Sequence, residues 1–348
     1  MTWGESHGRA IGAVIDGCPS GLEIGAEDIQ AELFFRQGGK PYTTPRKEAD
    51  VVEILSGVFE GKTTGAPISV IIYNQDKDPS KYSPIQEVLR PGHANFTYLE
   101  KYGIFDYRGG GRASGRETAC RVAAGAIAKK ILRHYGIDFL SYIQQIGEVK
   151  AKIPDQVTKT QIWQTPLLCP DVAAALQMET ALLSAIEQKD SLGGVIECIF
   201  TGLPIGLGDP VYEKLEANLA KAMLSIPACK GVEFGAGFRS SSMKGSEHND
   251  LFHLSPQNTI ETQSNHAGGL LGGISTGMPL KFRCAMKPTS SIQISQPSLN
   301  LQKQPTLLQM PEGSRHDPCL ALRAVAVVEA MAALVIVDAI FMNRSAKL

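Results

Sequence analysis

The chain predicts an α+β fold, on three observations. Its strand-like runs are short, and the clearest of them alternate apolar and polar residues as half-buried antiparallel strands do. They do not alternate strictly with helical runs, as a doubly wound parallel sheet would require. No repeat period and no clear linker divides the 348 residues, so 1–348 reads as one unit.

Taken in order, residues 11–16 and 67–73 are apolar, β-branched runs bounded by Gly, Pro or polar residues, and read as strands. After Gly109, Gly110 and Gly111, the pair Ser114 and Glu117 has capping-box spacing, so a helix is expected to start at Ser114. Ala123, Ile127 and Ile131 then recur on one of its faces. Residues 171–189 and 212–224 read as helices, with a strand over 195–200 between them. Leu280, Phe282, Cys284 and Met286 alternate with other residues as one face of a strand. The longest apolar run, 324–342, is interrupted by Glu329 and Asp338, which favours a buried helix over a membrane span. Segments 36–49, 74–92, 239–266 and 287–316 are polar, Gly- and Pro-rich loops long enough to be functional.

Composition narrows the function. A formal net charge of −1 provides no overall field for nucleic acid or anionic membrane, and 7% aromatic content offers no stacking stripe for RNA. The seven cysteines are scattered and odd in number. They suit reduced thiols in a cytoplasm, with no zinc spacing and no metal site indicated. No signal peptide is visible.

Any attraction for anions must therefore be local, and the segment 107–118 is the clearest place for it. Arg108, Arg112 and Arg116 surround a glycine-rich turn at an expected helix start, where free N–H groups and guanidinium forks suit phosphate. Three familiar motifs fail on context. Gly4-Glu5-Ser6-His7-Gly8 fits a nucleophile elbow, but only three residues precede it where a buried strand is needed. Residues 57–63 approximate a P-loop with wrong spacing and a strand where a helix should follow. Ser114 replaces the third glycine of a dinucleotide fingerprint.

Polar clusters remain that packing does not explain. His7 lies in a glycine-flanked turn, His93 follows Arg90-Pro91-Gly92, and Asp317 sits in Ser314-Arg315-His316-Asp317-Pro318. Lys287-Pro288-Thr289-Ser290-Ser291 adds donors after a strand. Together with Asp16-Gly17-Cys18-Pro19, the 109–118 loop and Ser264-Asn265-His266-Ala267-Gly268-Gly269, these clusters resemble the chorismate synthase family in order and spacing. The resemblance runs from the first residues to about Met342.

It implies a sandwich of antiparallel sheets with helices between, assembled as a homotetramer. It also implies a lyase that eliminates phosphate, 1,4 and anti, from 5-enolpyruvylshikimate 3-phosphate to give chorismate, using reduced FMN without net redox change. A phosphorylated dicarboxylate needs several arginines, and local Arg clusters in a neutral chain are of that kind. By resemblance, Arg36, Arg46, Arg90, Arg116 and Arg315 line the substrate pocket; Arg36 would instead serve NADPH in members that reduce their own flavin, others depending on a separate flavin reductase. FMN contacts map onto Arg112, Ala113, Ser114, Ala228, Gly272, Lys287, Pro288, Thr289, Ser290, Ser291 and Arg315. His7 would be the general acid toward phosphate, oriented by Ser6, and His93 would hydrogen-bond the reduced flavin and help neutralise it. Asp317 would assist removal of the ring proton through the flavin N5, with Ser114 between flavin and helix start.

The chain departs from the family at four places. An initial strand precedes the Gly4–Gly8 turn in the family where only three residues stand here, so either the start is assigned late or that strand is missing, which would destabilise the sheet beside His7. Phe35 stands where members carry a second arginine, Asn95 replaces an aspartate, and Gly115 replaces an alanine.

Overall fold

The computed structural model describes residues 1–313 and 316–347; Ser314, Arg315 and Leu348 lie outside the described residues. Two antiparallel sheets enclose a layer of helices. The first sheet contains β1 (Thr2–Gly4), β2 (Ala10–Ile15), β3 (Val52–Ile54) and β4 (Ile68–Tyr73), in the order β1-β2-β4-β3. The second contains β5 (Asp138–Ile146), β6 (Val149–Lys150), β7 (Gly194–Thr201), β8 (Cys229–Phe234) and β9 (Leu280–Met286), in the order β8-β9-β7-β5-β6. The longer helices are α1 (Ala26–Arg36), α2 (Asn95–Tyr102), α3 (Thr118–His134), α4 (Val172–Glu187), α5 (Leu215–Leu224) and α6 (Ala321–Met342). Helix α3 lies on β2 and β4, α6 lies on β5 and β7, and the two helices pack on each other. The fold is α+β, with helices sandwiched between antiparallel sheets.

Period-2 and period-3.6 patterning explains the burial. In β4, Ile68, Val70 and Ile72 are fully buried, and in β9 Leu280, Phe282, Cys284 and Met286 face the same core. Helices α3 and α6 bury many small residues, which lets their backbones approach closely: a Cβ on Gly125 would lie 2.3 Å from the Cβ of Ala330. Glu329, which interrupts the apolar run, is paired with buried Lys129, whose Nζ also meets Glu32 at 2.6 Å, so the charges tie α1, α3 and α6 together. Asp338 is exposed. The segment Ala321–Ser345 is long and apolar enough to cross a membrane, yet 56% of its most apolar window is buried inside the protein.

Several elements differ from expectation for identifiable reasons. The strand ahead of the Gly4–Gly8 turn is present in short form: Thr2 pairs with Ala13, Trp3 with Gly12 and Gly4 with Ile11. Helix α3 starts at Thr118 rather than Ser114, after a 3-10 turn at Gly115–Glu117. There the Gly115 carbonyl accepts from Arg36 Nη2 at 2.7 Å and from Thr118 Oγ1 at 2.6 Å. The expected capping box is not formed, because Glu117 reaches forward to Arg121 at 2.9 Å instead of back to Ser114. Helix α5 begins at Leu215 and not at 212, since the Leu215 N–H bonds to Gly273 O on another segment at 2.9 Å. Helix α1 had no visible signature: its buried apolar stripe is only Ile29 and Leu33, while Phe34 is 56% exposed.

Candidate active site

A cavity of about 800 Å³ opens where the 4–8 turn, the loops around 36–50, 90–94, 109–117, 226–230 and 287–291, and the approach to α6 converge. It gathers His7, His93, Asp317, Ser6 and Ser114 with Arg36, Arg46, Arg90, Arg112 and Arg116. Ala113, Ala228, Lys287, Pro288, Thr289, Ser290 and Ser291 line the same space. Among the described residues, nine guanidinium or ammonium groups face it against four carboxylates, so a near-neutral chain holds a locally basic hollow. Gly272 is not part of this lining; it turns the hairpin between Leu270–Leu271 and Ile274–Ser275 with φ 62°. Arg315 lies outside the described residues.

The glycine-rich turn seats His7. A Cβ at Gly109, where φ is 76°, would come within 2.7 Å of His7 Nδ1 and Cε1. His7 Nδ1 is 3.0 Å from Ser6 Oγ, which leaves Nε2 as the atom available to a ligand. Burial, then the nearby Arg46, holds the His7 pKa down to about 4. His93 is lowered further, to about 3, by burial and then by Arg90. The Asn95 N–H donates to His93 Nδ1 at 3.1 Å, so the neutral ring carries its proton on Nε2. The Asn95 side chain is itself spent, accepting from the Arg90 N–H at 3.1 Å and donating to Val88 O at 3.1 Å. It therefore fixes the 88–95 turn from the position where Asn95 replaces the family's aspartate.

Asp317 is not the helix cap that its position before α6 allows. Its Oδ1 accepts from the Thr44 N–H and its Oδ2 from Arg323 Nη1, both at 2.9 Å, while the N-cap of α6 is Leu320 without a side-chain bond. Arg323 is anchored in turn by Nε to Arg36 O at 3.0 Å.

The arginines divide into two kinds. All three Arg36 nitrogens are engaged, by Thr118 Oγ1, Asp50 Oδ2 and Gly115 O, and burial followed by Arg323 lowers its pKa to about 9. Arg112 binds Thr2 O at 2.9 Å and Gly4 O at 3.2 Å, bracing β1. Other groups are buried with unused donors: Arg46 Nε, Arg116 Nη2 and Thr289 Oγ1 have no hydrogen-bond partner among the described residues. Buried donors left unpaired are costly, and three of them on one basic cavity mark where an anionic, oxygen-rich ligand fits. The Ser114 turn contributes less, since Arg116 N–H already donates to Ser114 Oγ and Glu117 N–H to Ser114 O.

Several lining residues carried no sequence signal of their own, Asp50, Arg323 and Tyr82 among them. His316 stood inside a quoted motif without a role; burial, then Arg90, lowers its pKa to about 4. Tyr82 meets the His7 ring edge-on, with centroids 5.1 Å apart.

Comparisons with known proteins agree with this geometry. The family model described as chorismate synthase matches residues 1–341. Chorismate synthase of Protochlamydia amoebophila (strain UWE25) is 56% identical over 355 residues, covering 100% of this chain and 96% of that protein. That of Dehalococcoides mccartyi (strain ATCC BAA-2100 / JCM 16839 / KCTC 5957 / BAV1) is 51% identical, covering 97% and 93%. A crystal structure of chorismate synthase superposes with a TM-score of 0.78 at 31% identity, covering 99% of this chain and 92% of that chain. Fold and relatives together establish that the chain belongs to the chorismate synthase family.

Proposed function

We propose that the basic cavity is where this lyase eliminates phosphate from 5-enolpyruvylshikimate 3-phosphate, with reduced FMN bound beside the substrate. The observation that carries the reading is the coincidence of His7 and Asp317 with three unpaired buried donors in one hollow. The donor set fits a flavin: Thr289 Oγ1, Ser290, Ser291 and the Lys287 ammonium form a polar wall, and Lys287 Nζ bonds Gly92 O at 3.0 Å to join it to the His93 turn. When bound, reduced FMN supplies electron density to the allylic carbon that loses phosphate. Arg46, Arg90 and Arg116 hold the phosphorylated dicarboxylate and neutralise the leaving group. His7 gives it a proton from Nε2, and Ser6 fixes the ring through Nδ1. His7 is neutral in the ligand-free cavity at pH 7, and a phosphate dianion beside it favours the imidazolium that this step requires. His93 offers Nε2–H to the flavin as a donor, and the Asp317 carboxylate, held by Thr44 and Arg323, takes up the ring proton.

Each Arg36 nitrogen already has a protein acceptor, so this reading gives Arg36 a structural part in the cavity wall. A homotetramer in the cytoplasm, built from chains acting as one catalytic unit, completes the proposal. Anaerobic incubation with reduced FMN and 5-enolpyruvylshikimate 3-phosphate tests it. Chorismate absorbance and phosphate should rise together, and tight flavin binding without turnover would refute it.

A further inference from the structure

Asp50 belongs to no motif, yet it lines the cavity at the centre of its buried charge. Its side chain is fully buried and divides its two oxygens between two guanidiniums. Oδ2 accepts from Arg36 Nη1 at 3.1 Å, and Oδ1 accepts from Arg116 Nη1. Arg116 Nε is taken by Asn74 Oδ1 at 2.7 Å, which leaves Nη2 as its one nitrogen without a partner among the described residues. The backbone at Asp50 is left-handed, with φ 49°, a conformation that costs energy for a residue with a Cβ and that tends to collect at functional sites.

We infer that Asp50 is a positioning residue for substrate: it locks the Arg116 guanidinium so that Nη2 alone is offered to an oxyanion of the phosphorylated dicarboxylate. The lock has two further points. Asn74 Nδ2 donates to Glu5 O and Gly8 O, both at 3.0 Å, so the group that holds Arg116 also holds the turn carrying His7. Arg36 binds the Gly115 carbonyl next to Arg116 and closes a ring of contacts around it. Charge points the same way. Two buried guanidiniums share one carboxylate, and a substrate oxyanion at Nη2 supplies the second negative charge that balances the set.

The inference rests on the reading that Arg116 binds substrate, and the experiment separates the two. Substrate dissociation constants are measured by calorimetry for Asp50→Asn, Arg116→Lys and the double variant, with thermal midpoints alongside. Arg116→Lys should weaken substrate binding by roughly tenfold to a hundredfold, and Asp50→Asn by a similar factor, as for a lost charged hydrogen bond. The double variant should bind no worse than the weaker single one, because both remove the same contact. Native affinity in Arg116→Lys would overturn the Arg116 reading and the inference with it. Native affinity in Asp50→Asn beside a weakened Arg116→Lys, or losses that multiply in the double variant, would overturn the inference alone. If Asp50→Asn does not fold, Asp50→Glu carries the test: it keeps the charge but displaces the fork, so weakened binding supports the lock and native binding sinks it.

Discussion

Replacing Asp317 by Asn probes the proton step and the scaffold at once, and the structure says how to separate them. The carboxylate accepts from the Thr44 N–H on one oxygen and from Arg323 on the other. An amide can serve only one of these donors and turns an N–H toward the second. With 8% and 19% side-chain exposure, the Asp317–Arg323 pair is largely dry, so its loss should cost about 1.5–3 kcal/mol of stability and lower Tm by several degrees. Loss of a general base should slow the chemical step by roughly a hundredfold, about 2.7 kcal/mol of barrier. A fall in Tm therefore cannot by itself argue against catalysis, and the decisive control is Arg323→Met. That change breaks the same ion pair but leaves the carboxylate on the Thr44 N–H. Both variants should show a similar Tm loss, while only Asp317→Asn suffers the full rate loss. Single-turnover chorismate formation, at saturating substrate and reduced FMN well below either Tm, measures it. A rate for Asp317→Asn within a few-fold of the unmodified chain would refute the base assignment. Equal rate losses in the two variants would reduce Asp317 to scaffolding.

Because His7 is neutral in the free cavity, substrate binding at pH 7 should take up a proton, visible as a dependence of binding enthalpy on buffer ionisation, and His7→Gln should abolish that uptake. Stability should fall on acidification. His7, His93 and His316 have folded pKa values of about 4, 3 and 4, below their usual 6.5, so the unfolded chain binds more protons between those limits. The stabilisation is complete above pH 6.5 and is lost as pH falls toward 4. Denaturant titrations at pH 7 and pH 5 should show it, and His93→Gln should make the slope shallower. Gly125→Ala should destabilise by roughly 1–3 kcal/mol through overpacking, since its Cβ would press on Ala330 between α3 and α6; an unchanged thermal midpoint would contradict this packing.

The sequence by itself determined the fold class, the strands with clear alternation and the long buried helix, because these rest on local periodicity. It also carried the residues whose motifs are contiguous: the Ser6-His7 turn, Arg90 to His93, the 109–116 loop and the 287–291 run all reach one cavity. Elements without clean alternation were not legible. β5 alternates nothing, since Tyr142, Ile143 and Ile146 are all buried, and β8 carries a register shift between Cys229 and Gly231. Only tertiary structure decided which arginines are free. Arg36 and Arg116 look alike in sequence, but Arg36 is consumed by Thr118, Asp50 and Gly115, while Arg116 keeps one nitrogen unpaired. That difference depends on a carboxylate at Asp50 and an amide at Asn74, 66 and 42 residues away from Arg116 in the chain. Hydrogen-bond satisfaction is a property of the packed site, and no spacing along the chain encodes which donor is left over.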